Sequence, residues 1–114
     1  MTLERFEEND FSDILDFMSP IWYKTYSFLP KEQVSLLIKK YFSDEAIAHY
    51  RNEGYTYMKL CDEETVGVVV YCEKDGTTYL DKLYLTEKAR GRGYPEFVFA
   101  QLLSSSGKVY FGKV

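Results

Sequence analysis

Residues 77–103 constrain the fold more than any other part of the chain. An apolar, aromatic-rich segment typical of a β-strand (79–85) leads into a short basic turn with two glycines (90–93), and an apolar segment typical of a helix (95–103) follows at once. A strand, a glycine turn and a helix in this order often bind a phosphate group. The first N–H groups of a helix have no partner inside it, and the helix dipole adds partial positive charge there. The glycines let the backbone approach an anion, and the two arginines of the turn add charge.

The turn resembles the acyl-CoA-binding motif of the GNAT N-acetyltransferase superfamily, whose pattern is R/Q-x-x-G-x-G/A. In this sequence the motif stands at Arg90-Gly91-Arg92-Gly93-Tyr94-Pro95, and residues 80–86 resemble the fourth strand of that family. Pro95 departs from the pattern, which has Gly or Ala there. The resemblance implies a mixed α/β (α+β) fold and an enzyme that transfers an acetyl group from acetyl-CoA to a primary amine. The reaction would be direct attack in a ternary complex, without a metal.

The resemblance also implies which residues hold the cofactor. Three strand residues would pair through their backbone groups with the pantetheine arm, which behaves like an added strand: Leu83, Tyr84 and Leu85. The turn and the start of the helix would hold the pyrophosphate: Arg90, Gly91, Arg92, Gly93, Tyr94 and Glu96. Pro95 has no N–H, so one donor is lost, at a cost on the order of 1–3 kcal/mol if that group normally binds. The alternative interpretation is an exposed turn with solvated arginines.

Candidate catalytic and acceptor-binding residues follow from the same resemblance. Asp81 and Glu73 are the carboxylates nearest the expected reaction end, and either could act as a base through water; solvated surface charges are the alternative. Four aromatic residues lie where this family often shapes its acceptor pocket, with core packing as the alternative: Trp22, Tyr23, Tyr26 and Phe28. His49 is interpreted as a structural residue on a helix, far from the motif.

Composition and charge exclude several classes of function. With 46% hydrophobic and 18% aromatic residues the chain can form a packed core, so a disordered chain is disfavoured. The net charge is −4 and the basic residues cluster only around the glycine turn, so we expect no nucleic-acid partner. No apolar run reaches membrane-spanning length, and we expect a soluble cytoplasmic protein. No Cys or His spacing indicates a metal site, and Cys61 and Cys72 are predicted to stay reduced.

Local signals predict the order of elements. A proline ends a helix at the preceding residue, and Asp-Gly favours a two-residue hairpin turn. The predicted elements are a strand over 2–8, a helix that starts at 9–10 and ends at 19–20, an aromatic loop over 20–30, helices from 30 and from 43, antiparallel strands over 55–61, 65–73 and 77–86, a helix over 95–103, a flexible connection over 104–107 and a last strand over 108–114.

This order predicts a single domain over residues 1–114. It matches the first part of a GNAT domain, and we expect the C-terminal helix and strands of that family to be missing. The second hypothesis is therefore a non-catalytic GNAT-like binding or oligomerisation module. An exposed sheet edge invites pairing with another chain, so a homodimer that completes the sheet belongs to this hypothesis. The amine acceptor, a small molecule or a peptide, stays open.

Overall fold

The computed structural model describes residues 1–6 and 11–111, and the side chains of all of these except 11–15 and 111. The elements in chain order are β1 (Thr2–Arg5), α1 (Phe11–Thr25), α2 (Lys31–Phe42), α3 (Asp44–Asn52), β2 (Tyr55–Asp62), β3 (Glu64–Lys74), β4 (Thr77–Leu85), a 3-10 turn (Glu87–Ala89), α4 (Tyr94–Ser106) and β5 (Val109–Phe111). The predicted helix start at 9–10 and the end of the last strand at 112–114 lie outside the described residues.

The chain forms two compact units. One consists of Met1–Arg5 and Gly54–Val114, and the other of Phe6–Glu53. The first unit contains the five strands and α4, and the second contains α1, α2 and α3. No helix in the described part of the chain is long and apolar enough to cross a lipid bilayer.

The strands form one mixed sheet in the order β1-β2-β3-β4-β5. Strands β1 to β4 pair with one another in antiparallel order, and β5 is parallel to β4, so the predicted antiparallel meander is confirmed. Asp75 and Gly76 both have positive φ (53° and 75°), as a two-residue hairpin between right-twisted strands requires. The mixed α+β fold class is confirmed as well.

The pairing of β3 with β4 shifts by one residue near the middle of the sheet. Val70 pairs with Lys82 and Tyr71 pairs with Leu80, so Asp81 has no partner opposite it on β3. Such an extra residue is a β-bulge, which bends its strand and increases the local twist. Among the described residues, the parallel pairing of β4 with β5 covers three residues of β4, from Thr78 to Leu80, which directly precede the bulged residue.

Helix α4 packs on one face of the sheet. Its buried side chains join those of the strands in a single apolar cluster, which includes Leu60, Val69, Leu80, Tyr94, Val98 and Leu102. Gly67 pairs with Leu85 at the C-terminal end of β4, and it brings β3 and β4 close together there. A Cβ at Gly67 would lie 2.8 Å from the carbonyl oxygen of Tyr84 and 2.9 Å from Leu85 Cδ2. Only glycine allows this approach without a shift of the strands.

The two cysteines are free, as predicted. Cys61 pairs with Thr65 beside the β2–β3 turn, and Cys72 pairs with Tyr55 at the other end of the same strand pair. Burial, followed by a hydrogen bond that the thiol donates to the side chain of Glu4, raises the pKa of Cys61. The two cysteines therefore lie near opposite ends of the β2–β3 strand pair.

The predicted end of the first helix at Ser19-Pro20 is wrong. Helix α1 continues through Pro20 to Thr25. Proline removes one backbone hydrogen bond from a helix, but Met18 and Trp22, four residues apart, are 0% and 4% exposed. The Trp22 ring packs against Phe42 of α2 at a centroid distance of 5.9 Å. The apolar burial on both sides of Pro20 outweighs the lost hydrogen bond.

The prediction of a flexible connection at residues 104–107 is also wrong for the three serines, which are helical. Ser104, Ser105 and Ser106 form the last turn of α4, and their hydroxyls donate to carbonyls of Gln101 and Leu102 at 2.8–3.2 Å. Serine can bond to the preceding turn of its own helix in this way. The helix ends at Gly107, which has a φ of 77° and donates its N–H to Leu103.

Candidate functional site

The glycine turn joins the end of β4 to the start of α4. Gly91 and Gly93 have φ of 77° and 78°, in the left-handed region that strains every residue with a Cβ. Gly93 is the N-terminal cap of α4, and it offers no side chain to accept a hydrogen bond from the first turn. The N–H groups of that turn are therefore available to an anion, and they lie beside the exposed residues Arg90 and Arg92.

Two residues of the first turn of α4 change this anion site. Pro95 is the second helical residue, and the first helical hydrogen bond runs from the N–H of Phe97 to the carbonyl of Gly93. The helix itself therefore loses no bond to Pro95, but an anion loses one donor. The Oε2 atom of Glu96 lies 3.8 Å from the position of a Cβ at Gly93. This carboxylate complements the helix dipole and would compete with a bound anion.

Tyr94 connects the glycine turn to the β2–β3 hairpin. Its ring is buried (4% exposed), and its hydroxyl donates a 2.7 Å hydrogen bond to Oδ2 of Asp62. This hydrogen bond, followed by burial, raises the pKa of Tyr94, while the nearby Arg92 lowers it. Two of the residues predicted to hold the pyrophosphate, Tyr94 and Arg92, thus interact with each other in the folded chain. Asp62 was not among the predicted site residues, because nothing in its local sequence marks it.

The second half of β4 offers its backbone to a ligand on the side away from β3. The N–H of Thr86 donates to the carbonyl of Val66 at 2.9 Å, so Thr86 faces β3. Backbone groups alternate in direction along an antiparallel strand. Those of Tyr84 therefore also face β3, and those of Leu83 and Leu85 face the opposite side. Among the described residues, no strand pairs with Leu83 or Leu85 on that side.

A cavity of about 610 Å³ lies between the glycine turn and the β2–β3 hairpin. Its walls come from the hairpin, the start of β3, the 3-10 turn and the start of α4: Asp62, Glu63, Glu64, Val66, Thr86, Lys88, Ala89, Arg92 and Tyr94. Three carboxylates face two basic groups there. A polyanion such as a pyrophosphate is better accommodated at the glycines, where the helix N–H groups are not opposed by several carboxylates.

The two candidate bases, Asp81 and Glu73, lie on the neighbouring strands β4 and β3. Asp81 is the bulged residue of β4, and its carboxylate forms an ion pair with Nζ of Lys82. Glu73 is exposed and pairs across the sheet with Thr78. Of the two, Asp81 lies nearer the open edge of β4. The bulge therefore singles out Asp81 as the better placed candidate.

The aromatic candidates for acceptor binding belong to the helical unit. Trp22 is buried and its ring lies 5.3 Å from that of Tyr26, which in turn contacts Phe28 at 6.2 Å. Tyr23 is partly buried, and Phe28 is 78% exposed. Trp22 thus has the burial and ring contacts of a core residue.

His49 is exposed on α3, with Nε2 3.3 Å from Glu53 Oε1, which agrees with its interpretation as a structural residue.

A pair of tyrosines that was not predicted as part of a site lies just before the bulge. Tyr79 on β4 and Tyr110 on β5 are register partners, and their ring centroids are 5.8 Å apart. Tyr110 is 63% exposed, so it is not a buried core residue. In the part of the chain that the structure describes, no group of three His, Cys, Asp or Glu side chains could hold a metal ion.

No family model and no curated protein matches the chain. Solved structures of acetyltransferases do match it over nearly its full length. The PaiA N-acetyltransferase of Thermoplasma acidophilum in complex with coenzyme A is 15% identical, with a TM-score of 0.68 over 89% of this chain and 69% of its own. A GNAT-family acetyltransferase of Staphylococcus aureus Mu50 is 12% identical, with a TM-score of 0.68 over 99% of this chain and 73% of its own. A putative acetyltransferase of Pyrococcus furiosus is 17% identical, with a TM-score of 0.66 over 99% and 82%.

Proposed function

We propose that this chain, which has the fold of the GNAT acetyltransferases, binds acetyl-CoA along the open edge of β4 and transfers its acetyl group to an amine. The observation that carries the proposal is the order of two features along the chain. Leu83 and Leu85 have outward backbone groups, and the N-terminus of α4, where Gly93 provides no side-chain cap, follows them. One extended ligand with amides at one end and phosphates at the other fits both features.

The pantetheine arm would add to the sheet as a short strand. Its amide groups would pair with the N–H and C=O groups of Leu83 and Leu85, as peptides do when they extend a sheet edge. The pyrophosphate would lie at the glycine turn, near Arg90 and Arg92. The thioester would then lie at the opposite end of this edge, beside the bulge at Asp81. Coenzyme A in one of the matching structures supports this choice of ligand.

The transfer needs a neutral amine next to an oriented thioester. The nitrogen attacks the thioester carbonyl carbon and a tetrahedral intermediate forms. The C–S bond then breaks, CoA leaves as the thiolate, and the nitrogen loses a proton. Asp81 would take this proton through a water molecule. Positioning of the two reactants supplies most of the acceleration in such a reaction, because the thioester is already activated.

Calorimetric titration of acetyl-CoA into the whole chain tests the proposal. We expect saturable binding with a dissociation constant on the order of micromolar, which corresponds to about 8 kcal/mol. Gly93→Val should abolish binding, because its Cβ strains the turn and narrows the approach to the helix N-terminus. Gly54→Val is the matched control, since Gly54 also has a left-handed φ (98°) and lies outside the turn. Absence of binding at millimolar acetyl-CoA would refute the proposal.

The second candidate is a GNAT-like module without turnover that associates with a second copy. Pro95 favours it, because one donor of the anion site is missing. Sedimentation velocity of the whole chain separates the two candidates when it is combined with the titration. A concentration-dependent dimer that does not bind acetyl-CoA supports the module, whereas a monomer that binds acetyl-CoA supports the transferase.

A further inference from the structure

Tyr79 and Tyr110 place an open aromatic surface at the β4–β5 side of the sheet. The two residues are partners on parallel strands, with ring planes inclined by 52°. Tyr79 is 39% and Tyr110 is 63% exposed, while Cys72, the partner of Tyr79 on β3, is 7% exposed. A cross-strand aromatic pair stabilises a sheet modestly. Two rings with this much exposed surface also leave room for a third aromatic group.

This surface begins where the open edge of β4 ends. Tyr79 precedes the bulged residue Asp81 by two positions, about 7 Å along a strand. In the part of the chain that the structure describes, β5 pairs with β4 as far as Leu80, which lies between the two. A ligand strand along Leu83 and Leu85 therefore directs its end towards Asp81, and the tyrosine pair lies further along β4 in that direction. A group attached through two or three atoms to a nitrogen at the bulge reaches the rings.

We propose that the Tyr79–Tyr110 pair binds the acceptor and selects an amine that carries a flat aromatic group. The inference rests on the proposed function, which places the thioester beside Asp81. The amine nitrogen attacks there, and its aromatic substituent packs on the exposed ring faces. Asp81 and Lys82, two and three residues after Tyr79, form an ion pair with each other, so their charges offset each other. The exposed rings then favour an uncharged aromatic group over a second cationic group.

An equilibrium measurement tests this assignment without turnover. 2-Phenylethylamine and ethylamine are titrated separately into the chain saturated with CoA, which lacks the acetyl group and cannot react. The two probes differ only by the phenyl ring. We expect 2-phenylethylamine to bind roughly tenfold more tightly. A tenfold gain in affinity is at the upper end of what one aromatic pair contributes beyond the burial of its surface. Equal affinities for the two amines would overturn the inference.

Variants locate the binding surface. Tyr79→Ala and Tyr110→Thr should each remove most of the preference for 2-phenylethylamine, whereas Tyr79→Phe should keep it. Tyr110→Thr retains a residue that favours strands, so it tests the site even if Tyr79→Ala fails to fold. Phe28→Ala is the matched control, because Phe28 is an exposed aromatic residue (78%) outside the sheet. An unchanged preference in Tyr79→Ala and Tyr110→Thr would exclude the pair as the acceptor surface.

The acetyl-CoA titration distinguishes the two levels of failure. If acetyl-CoA does not bind, the proposed function fails and the acceptor assignment fails with it. If acetyl-CoA binds and the phenyl ring brings no gain in affinity, only the acceptor assignment fails. Acetyl-CoA affinity that stays unchanged in Tyr110→Thr, together with a lost preference, is the result that supports both.

Discussion

The hydroxyl of Tyr94 donates a 2.7 Å hydrogen bond to the carboxylate of Asp62, which lies 32 residues earlier in the chain. The bond joins the first residue of α4 to the last residue of β2. It therefore connects the helix end that would hold a pyrophosphate to the hairpin beside it. The ring of Tyr94 is buried, so the position of the helix N-terminus depends on both its packing and its hydrogen bond.

Removal of this hydrogen bond should weaken acetyl-CoA binding. We expect Tyr94→Phe and Asp62→Asn each to raise the dissociation constant roughly two- to tenfold, because one hydrogen bond that holds the turn is lost or weakened. The double variant should cost no more than the larger single effect, since both changes disrupt one bond. Calorimetry of the four proteins measures this coupling. Tyr23→Phe, in the helical unit, is the control, and additive effects of the two changes would contradict the coupling.

Pro95→Ala should strengthen acetyl-CoA binding. The change restores an N–H in the first turn of α4, where no helical partner competes for it. A charge-assisted hydrogen bond to the pyrophosphate should lower the dissociation constant by about five- to a hundredfold, which corresponds to 1–3 kcal/mol. Titration of acetyl-CoA into the variant measures the gain. An unchanged affinity would show that the N–H of this position does not contact the ligand.

Alkaline pH should destabilise the fold through two tyrosines. Hydrogen bonding to Asp62 raises the pKa of Tyr94, and burial followed by the charge of Glu73 raises that of Tyr71. Above about pH 10 the unfolded chain loses these phenolic protons while the native chain keeps them, so the free energy of unfolding falls as pH rises. Below pH 10 the contribution is complete. Urea unfolding at pH 8 to 11 measures it.

The same series with Tyr94→Phe isolates one of the two groups. This variant has one fewer phenol whose pKa differs between the native and the unfolded chain, so its free energy of unfolding should fall less steeply above pH 10. Slopes that are the same in both proteins would show that Tyr94 does not contribute to the pH dependence.

Gly67→Ala should destabilise the chain although it adds only one methyl group. The new Cβ would lie 2.8 Å from the Tyr84 carbonyl oxygen, so β3 and β4 must move apart. Overpacking of this kind typically costs about 1–3 kcal/mol. Urea denaturation measures the loss, with Glu64→Ala, an exposed residue of the same strand, as control. A loss no larger than that of the control would show that the two strands adjust freely.

Leu102 and Leu103 form a matched pair for the core under α4. Leu102 is 3% exposed within the apolar cluster, and Leu103 is 44% exposed. We expect Leu102→Ala to cost about 2–5 kcal/mol, because it removes buried methyl groups and leaves a cavity. Leu103→Ala should change the free energy of unfolding by less than about 1 kcal/mol. Equal losses measured by urea denaturation would contradict the observed orientation of α4.

Local signals in the sequence predicted the elements whose conformation depends on neighbouring residues. Asp75-Gly76 forms the expected hairpin, and Ser43 caps α3 through a 3.2 Å bond from the N–H of Ala46. The glycine turn follows β4 and precedes α4 as expected. The backbone preferences of glycine, serine and aspartate operate within a few residues, so one stretch of sequence contains enough information to predict these features.

By itself, then, the sequence determined the strand order of the meander, the glycine turn and the family that the turn resembles. Only the tertiary structure decided the passage of α1 through Pro20, the bulge at Asp81, the bond from Tyr94 to Asp62 and the exposure of Tyr110. Each of these depends on residues that are distant in the chain. Burial and strand register bring those residues together, and they override or supplement local preference because packing energies exceed the cost of a single lost hydrogen bond.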